Sequence, residues 1–324
     1  MLKFGNFKII KMKKSILTIT LNPSVDKSSS VQNIVSEKKM RCNSPKYEAG
    51  GGGINVSRGL KRLGISSDAF FTSGGRTGKL LEDLLQVEQL NVLPFYVEAE
   101  TRENFTVSDI SDKKQYRFVF PGEPLTEGEQ KKILNSIEVM DQLADFVVIS
   151  GSLPVGVDRM FMKQLINRCK TKGSKLIVDS SGEVLKIAAE EGVFLLKPNI
   201  GELASLAGKE KLEEIDIDKT AQLIISQGKA EVVVVSLGAQ GAVLFSATEK
   251  IQIAAPDVEV KSTVGAGDSM VAGMISVLIQ GGNYKEVLSM GIACGSATTM
   301  VEGTGLFTKE NTEHLLIEIK HSSE

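Results

Sequence analysis

The chain has 324 residues, of which 42% are hydrophobic and 24% charged, and carries a formal net charge of -2. This is the make-up of an ordinary soluble globular protein. It argues against nucleic acid as the main partner, since no basic stripe appears, and the lack of any run of about 18 apolar residues argues against a membrane span. The three cysteines have no C-x-x-C spacing and the two histidines, His314 and His321, lie near the C-terminus, so reduced thiols of a cytoplasmic protein are expected rather than a disulfide framework or a histidine metal site.

Residues 1–14 are basic around a short apolar patch at Phe7, Ile9 and Ile10, without the longer apolar run and small-residue cleavage site of a signal peptide. They read as an N-terminal extension to a domain over 15–324. Strands are expected at Ile16–Leu21, Asp68–Phe71, Phe146–Ile149, Leu176–Val178, Phe194–Leu196 and Val232–Ser236. Helical spacing recurs at Ile54–Leu63, Lys79–Glu88, Met160–Lys170, Asp218–Gln227, Ser269–Ile279, Tyr284–Met300 and Lys309–Ile319. This alternation predicts an α/β fold with a mainly parallel sheet covered by helices on both faces. Two stretches break it. Residues 103–120 read as a hairpin, Asn104–Ile110 and Gln115–Phe120 about a polar turn, and 26–48 are polar and extended. Neither forms a core alone, and together they predict a small sheet over one edge of the body, a lid made from about 26–48 and 100–122.

Asp26 leaves the first strand, placed to accept from hydroxyl groups or to make a turn. Four glycines, Gly50 to Gly53, lead into Asn55, a backbone able to wrap a polar ligand or simply to bend. The run does not satisfy G-x-G-x-x-G, which disfavours a dinucleotide site. Gly74 to Leu80 is one residue short of a Walker A loop and has Leu80 where a magnesium-binding hydroxyl is needed, so it reads as a turn into the next helix. Lys39, Arg41, Arg102 and Arg117 put four cations on two short segments that pair, which suits an anionic substrate better than scatter.

Lys197-Pro198-Asn199 follows a strand, and Asn199 with Glu202 has the spacing of a capping box; the functional alternative places Glu202 near Mg²⁺ through water. Ser236 to Gly241 ends an apolar strand where α/β sheets bind ligands, and is equally a strand-to-strand turn. Ser262 to Met270 sets two glycines and a carboxylate at a helix start. The free N–H groups there attract anions. A carboxylate beside a phosphate site repels the phosphate unless it is there to take a proton, so Asp268 reads as the base of a phosphoryl transfer to a hydroxyl.

Ala49–Arg58 and Thr263–Gly273 are signatures of the ribokinase-like (PfkB) carbohydrate kinases, which the chain resembles from about Ser15 to its last helix. Gln115–Gly122, Ile149–Pro154, Ile177–Glu183 and Val233–Gly238 are most similar to the branch holding the minor bacterial 6-phosphofructokinases, 1-phosphofructokinases and tagatose-6-phosphate kinases. The resemblance implies a ribokinase-like three-layer fold and MgATP-dependent phosphorylation of fructose 6-phosphate at its C1 hydroxyl, a glycolytic step, in a dimer whose lids clasp each other. It implies Asp268 as base and Gly265, Ala266 and Gly267 as anion hole. Asn199 and Glu202 match the magnesium motif, and Lys197, Ser236, Gly238 and Gly241 the nucleotide side. Asp26, Gly51, Gly52, Asn55, Arg102, Arg117 and Ser152 would hold the sugar phosphate, with Lys39 reaching a partner subunit's nucleotide site and Arg41 supporting the clamp. Ser262 and Val264, with 298–303, resemble a K⁺ site of backbone carbonyls, although Val301 and Gly305 stand where close relatives carry polar or charged side chains. A catalytically silent sugar-phosphate sensor on the same scaffold would need neither Asp268 nor the Asn199/Glu202 pair.

Overall fold

The computed structural model describes residues 14–140 and 142–322, so all of the expected extension but Lys14 lies outside the described residues. The chain begins β1 (Ile16–Thr20), β2 (Ser24–Val31), β3 (Lys46–Gly50), α1 (Gly52–Arg62), β4 (Asp68–Ser73), α2 (Gly75–Val87), β5 (Asn91–Tyr96), β6 (Arg102–Asp109) and β7 (Lys114–Phe118). It continues with α3 (Glu127–Glu138), β8 (Phe146–Ser150), α4 (Arg159–Thr171), β9 (Lys175–Asp179), α5 (Gly182–Glu191), β10 (Val193–Leu196) and α6 (Ile200–Leu206). The last part is α7 (Glu214–Ser226), β11 (Ala230–Ser236), β12 (Ala242–Ser246), β13 (Lys250–Ile253), α8 (Ala266–Leu278), α9 (Tyr284–Thr299) and α10 (Lys309–His321).

The large sheet has the order β13-β12-β11-β10-β9-β8-β1-β4-β5, parallel from β11 to β5 and antiparallel at β12 and β13. Every residue of β1, β8 and β10 is buried, as a parallel strand covered on both faces requires. Helices α3 to α7 pack on one face around Leu17, Ile149, Val178 and Val233. Helices α1, α8, α9 and α10 cover the other around Ile16, Val148, Ile177 and Val232. A smaller cluster joins Leu81 and Leu85 of α2 to Val25 and Ala49, the roots of β2 and β3.

The second sheet, β3-β2-β6-β7, is the small sheet expected from the two polar stretches. β2 and β6 run parallel, with Ser24 opposite Arg102 and Asp26 opposite Asn104, so these four residues share one face. Thr106, next but one after Asn104, pairs with Arg117 and sets that residue on the same face two rungs further out, where it is exposed.

Some elements differ from the sequence reading. Gly75 to Leu80 is not a turn but the opening of α2. Gly74 is its N-cap and offers no side chain; Glu100 supplies the missing acceptor, taking the Thr77 N–H at 2.7 Å from 23 residues away in the chain. Helices α3 and α5 and strands β5 and β13 were not expected. β5 carries Pro94 and is an edge strand, where a missing ladder donor is tolerated. Among the described residues, no helix is long and apolar enough to cross a membrane. Cys169 and Cys294 are buried, which pushes both thiols up to about 12, while Cys42 is exposed.

Candidate active site

The parallel strands deliver their carboxyl ends to one edge of the sheet, and the polar residues collect there. Ser150 ends β8, Asp179 ends β9, Lys197 follows β10 and Ser236 ends β11. The N-terminus of α8 closes this edge. Gly265 is its N-cap, held at φ 75, a left-handed backbone that a side chain would strain. Asp268 is in the first turn of α8.

The glycine-rich start of α1 meets Asp268 from the other side. Asn55 Nδ2 donates to Asp268 Oδ2 at 2.9 Å, and Ser150 Oγ donates to Oδ1 at 3.4 Å. Helices α1 and α8 approach closely because Gly59 has no side chain; a Cβ there would stand 2.7 Å from that of Ala272. Asp268 opens to the cleft but is otherwise enclosed. Burial, then the charge of Asp179, push its carboxyl up to about 7, against the opposing pull of Asn55, Lys197 and Ser150. The carboxyl is thereby poised near neutral pH, where a general base works best.

Lys197 is 6% exposed and forms an ion pair with Asp179 at 3.0 Å. Burial works to lower its ammonium, but Asp179, Glu202 and Asp268 together hold it above the usual value. Asn199 and Glu202 do form a capping box at α6: Asn199 Oδ1 accepts the Glu202 N–H and Glu202 Oε2 accepts the Asn199 N–H, both at 2.9 Å. The capping reading of this pair is therefore correct, and it leaves Glu202 half-buried. Burial, with Asp179 nearby, raises Glu202 although the Asn199 N–H draws it down. Glu202 and Asp268, both raised by burial, fit a cation that arrives carried by phosphates, which is how Mg²⁺ is usually held.

A cavity of about 540 Å³ opens beside this group, lined by Lys197, Ser236, Gly238, Gly241, Ala266 and Gly267 and by apolar Val258, Val260, Met270 and Ile292. Its lining combines the turn at α8 with polar and apolar side chains, a combination that suits a nucleotide. The apolar wall carries no sequence pattern that marks it. Gly238 to Gln240 forms a single 3-10 turn between β11 and antiparallel β12, so the turn reading and the lining role hold together.

On the small sheet, Asp26 accepts from Ser24 Oγ and Asn104 Nδ2, both at 2.8 Å. Arg102 donates to the carbonyls of Asn22 at 3.1 Å and Phe120 at 2.7 Å, and lines a second, open cavity of about 460 Å³. Ser152 is exposed and accepts from Asn22 Nδ2 at 3.0 Å. Gly51 is the N-cap of α1, and Gly52 packs so tightly that a Cβ would meet Gly151 N at 2.6 Å. Lys39 and Arg41 lie on the exposed loop 32–45 and do not line the large cavity. Asp179 and Ser150 are the site residues that sequence reasoning missed. A charged residue ending an apolar run was the only signal for Asp179.

The model of the pfkB family carbohydrate kinases matches residues 16–311. The ATP-dependent 6-phosphofructokinase isozyme 2 of Escherichia coli (strain K12) is 42% identical over 301 residues, 93% of this chain and 97% of that protein. The crystal structure of phosphofructokinase-2 from Escherichia coli in complex with potassium superposes with a TM-score of 0.91 at 41% identity, over 95% of this chain and 99% of that one. The same enzyme in complex with fructose-6-phosphate gives 0.89 at 40%, again over 95% and 99%. With its fold and both signature regions matched along nearly its whole length, this chain belongs to the pfkB family of carbohydrate kinases.

Proposed function

We propose that the protein transfers the γ-phosphoryl group of ATP to the C1 hydroxyl of fructose 6-phosphate, giving fructose 1,6-bisphosphate and ADP, a cytoplasmic glycolytic reaction. The observation that carries this reading is Asp268: a carboxyl poised near pH 7, fixed by Asn55 and Ser150, at the helix start that faces the large cavity.

In this reading the nucleotide occupies the cavity with its phosphates toward Gly265, Ala266 and Gly267, whose N–H groups and helix dipole meet developing negative charge. The sugar phosphate lies between α1 and the small sheet, with Asp26, Asn55, Gly51 and Gly52 around its hydroxyls, Arg102 on its phosphate, and Ser152 and Arg117 at the margin. Asp268 takes the C1 proton as the new P–O bond forms and the bond to ADP breaks. Glu202 and Asp179 would hold Mg²⁺ through water, with Asn199 fixing Glu202; bound there, the ion neutralises charge on the transferring phosphoryl group.

Ser262 Oγ donates to the Gly303 carbonyl at 2.7 Å and the Ser262 N–H to that of Thr299 at 3.2 Å, so the 262–264 and 298–303 loops form one frame of backbone carbonyls. We place K⁺ there. Val301 fills the space beside Gly305, 2.7 Å from where a Cβ would be, so the frame closes without polar side chains at these positions. Tyr47, Tyr116, Phe118 and Phe120 are exposed on the small sheet, and we propose that they form a homodimer through it, with Lys39 directed to the partner.

A coupled assay with MgATP and fructose 6-phosphate, fructose 1-phosphate or tagatose 6-phosphate tests the reading. The first should give the highest kcat/KM; preference for another reassigns the substrate, and no turnover of any leaves the sensor alternative.

A further inference from the structure

Arg58 sits one helical turn beyond Asn55 on α1 and is 3% exposed. Its Nε lies 2.9 Å from each carboxylate oxygen of Glu88, the C-cap of α2, and its Nη2 lies 2.8 Å from Glu88 Oε1. Its Nη1 donates to the Ala49 carbonyl at 2.9 Å and to Asn55 Oδ1 at 3.2 Å. Asn55 Nδ2 in turn donates to Asp268 Oδ2 at 2.9 Å. A guanidinium can only donate. The Asn55 amide therefore has a single orientation that satisfies both neighbours, oxygen to Arg58 and nitrogen to Asp268.

We propose that Glu88 and Arg58 are positioning residues that lock the Asn55 amide with its N–H toward Asp268, so that the carboxylate always meets a donor. This rests on reading Asp268 as the base. An unlocked amide can turn over when Asp268 is protonated and accept from the acid, serving both forms alike. A locked amide cannot accept from the acid O–H, and its N–H donates more strongly to the carboxylate than to the acid. It thus opposes the burial and the Asp179 charge that favour the acid, alongside Lys197 and Ser150, the other groups facing Asp268 from the ends of the strands. Neither Arg58 nor Glu88 lines the large cavity; both act through Asn55.

Thermal unfolding against pH separates the two ideas. Tm is measured for the wild type and D268N, and for R58Q and R58Q/D268N. Within each pair the pH dependence of the Tm difference reports Asp268 alone. The midpoint compared is the upper bend, where the difference levels off as Asp268 ionises in the folded protein; it should rise by about one pH unit in the R58Q pair. The acid limb of kcat/KM for fructose 6-phosphate should rise with it, while KM for MgATP stays within about twofold. S57A, a buried neighbour outside the chain of contacts, should move neither. An unchanged midpoint in R58Q, or an equal shift in S57A, overturns the proposal. A shifted midpoint with a stationary acid limb keeps the lock and overturns Asp268 as base. Should R58Q fail to fold, R58K, which keeps the charge opposite Glu88 but not the fork, must show the same shift or the proposal fails.

Discussion

Lys197 holds Asp179 at 3.0 Å, and both stand behind the glycine turn that precedes Asp268: a Cβ on Gly267 would lie 3.5 Å from Lys197 Nζ and 3.7 Å from Asp179 Oδ2. The carboxylate that raises Asp268 and the ammonium that lowers it are thus partners of each other, and removing either changes the fold and the base together.

K197M leaves Asp179 without its counter-charge in a largely enclosed place and should lower stability by about 3 kcal/mol. Urea unfolding of K197M, D179N and the double variant should show the double less destabilised than the sum of the singles. Additive losses would show that the pair is not coupled.

Asp268 has its folded pKa near 7, above the unfolded value of about 3.9. Between these values the unfolded chain ionises while the native one keeps its proton, so stability falls as pH rises and the penalty is complete above about 7. D268N should therefore raise Tm at pH 8 and leave it unchanged near pH 4, while kcat falls by about a thousandfold and substrate binding survives. Near wild-type turnover would sink the assignment of the base.

Gly267 and Gly265 should respond differently to alanine. At Gly267 a methyl makes only ordinary contacts within the protein but would intrude on the proposed anion hole, so G267A should keep a near-native Tm and lose at least about tenfold in kcat/KM for ATP. Gly265 has φ 75 and a Cβ there would come within 2.7 Å of Leu306 Cδ2, so G265A should lose about 1 kcal/mol of stability as well. Unfolding scans beside ATP kinetics distinguish the two.

Arg102 lies at the root of the small sheet and Arg117 two rungs out. R102A should raise KM for the sugar phosphate by one to two orders of magnitude and KM for ATP by no more than about threefold. R117A should have the smaller effect on sugar-phosphate KM. Equal effects of R102A on both substrates would remove it from the clamp.

The features legible in the sequence were those written locally. Val232 to Val235 announces a strand buried on both faces, and Asn199 with Glu202 announces a capped helix. Asp268 after two glycines announces a carboxylate in the first turn of a helix. The features missed depend on distant partners. The start of α2 is capped by Glu100, β5 is held by its neighbour despite Pro94, and Asp179 acquires meaning only from Lys197 on the adjacent strand. The raised pKa of Asp268 belongs to the same class, since Asp179, which pushes it up, and Asn55, Lys197 and Ser150, which pull it down, all lie far from it in the chain.

The near-contact of Gly59 with Ala272 has a consequence for how the enzyme can change. Asn55 and Asp268 are 213 residues apart in the chain, yet the gap between them is gauged by one absent methyl group. G59A would act as a shim between α1 and α8, widening the seam on which both signature regions meet. The two halves of the site could then each remain intact and still fail to work as one, so variation at position 59 is constrained by alignment and not by chemistry.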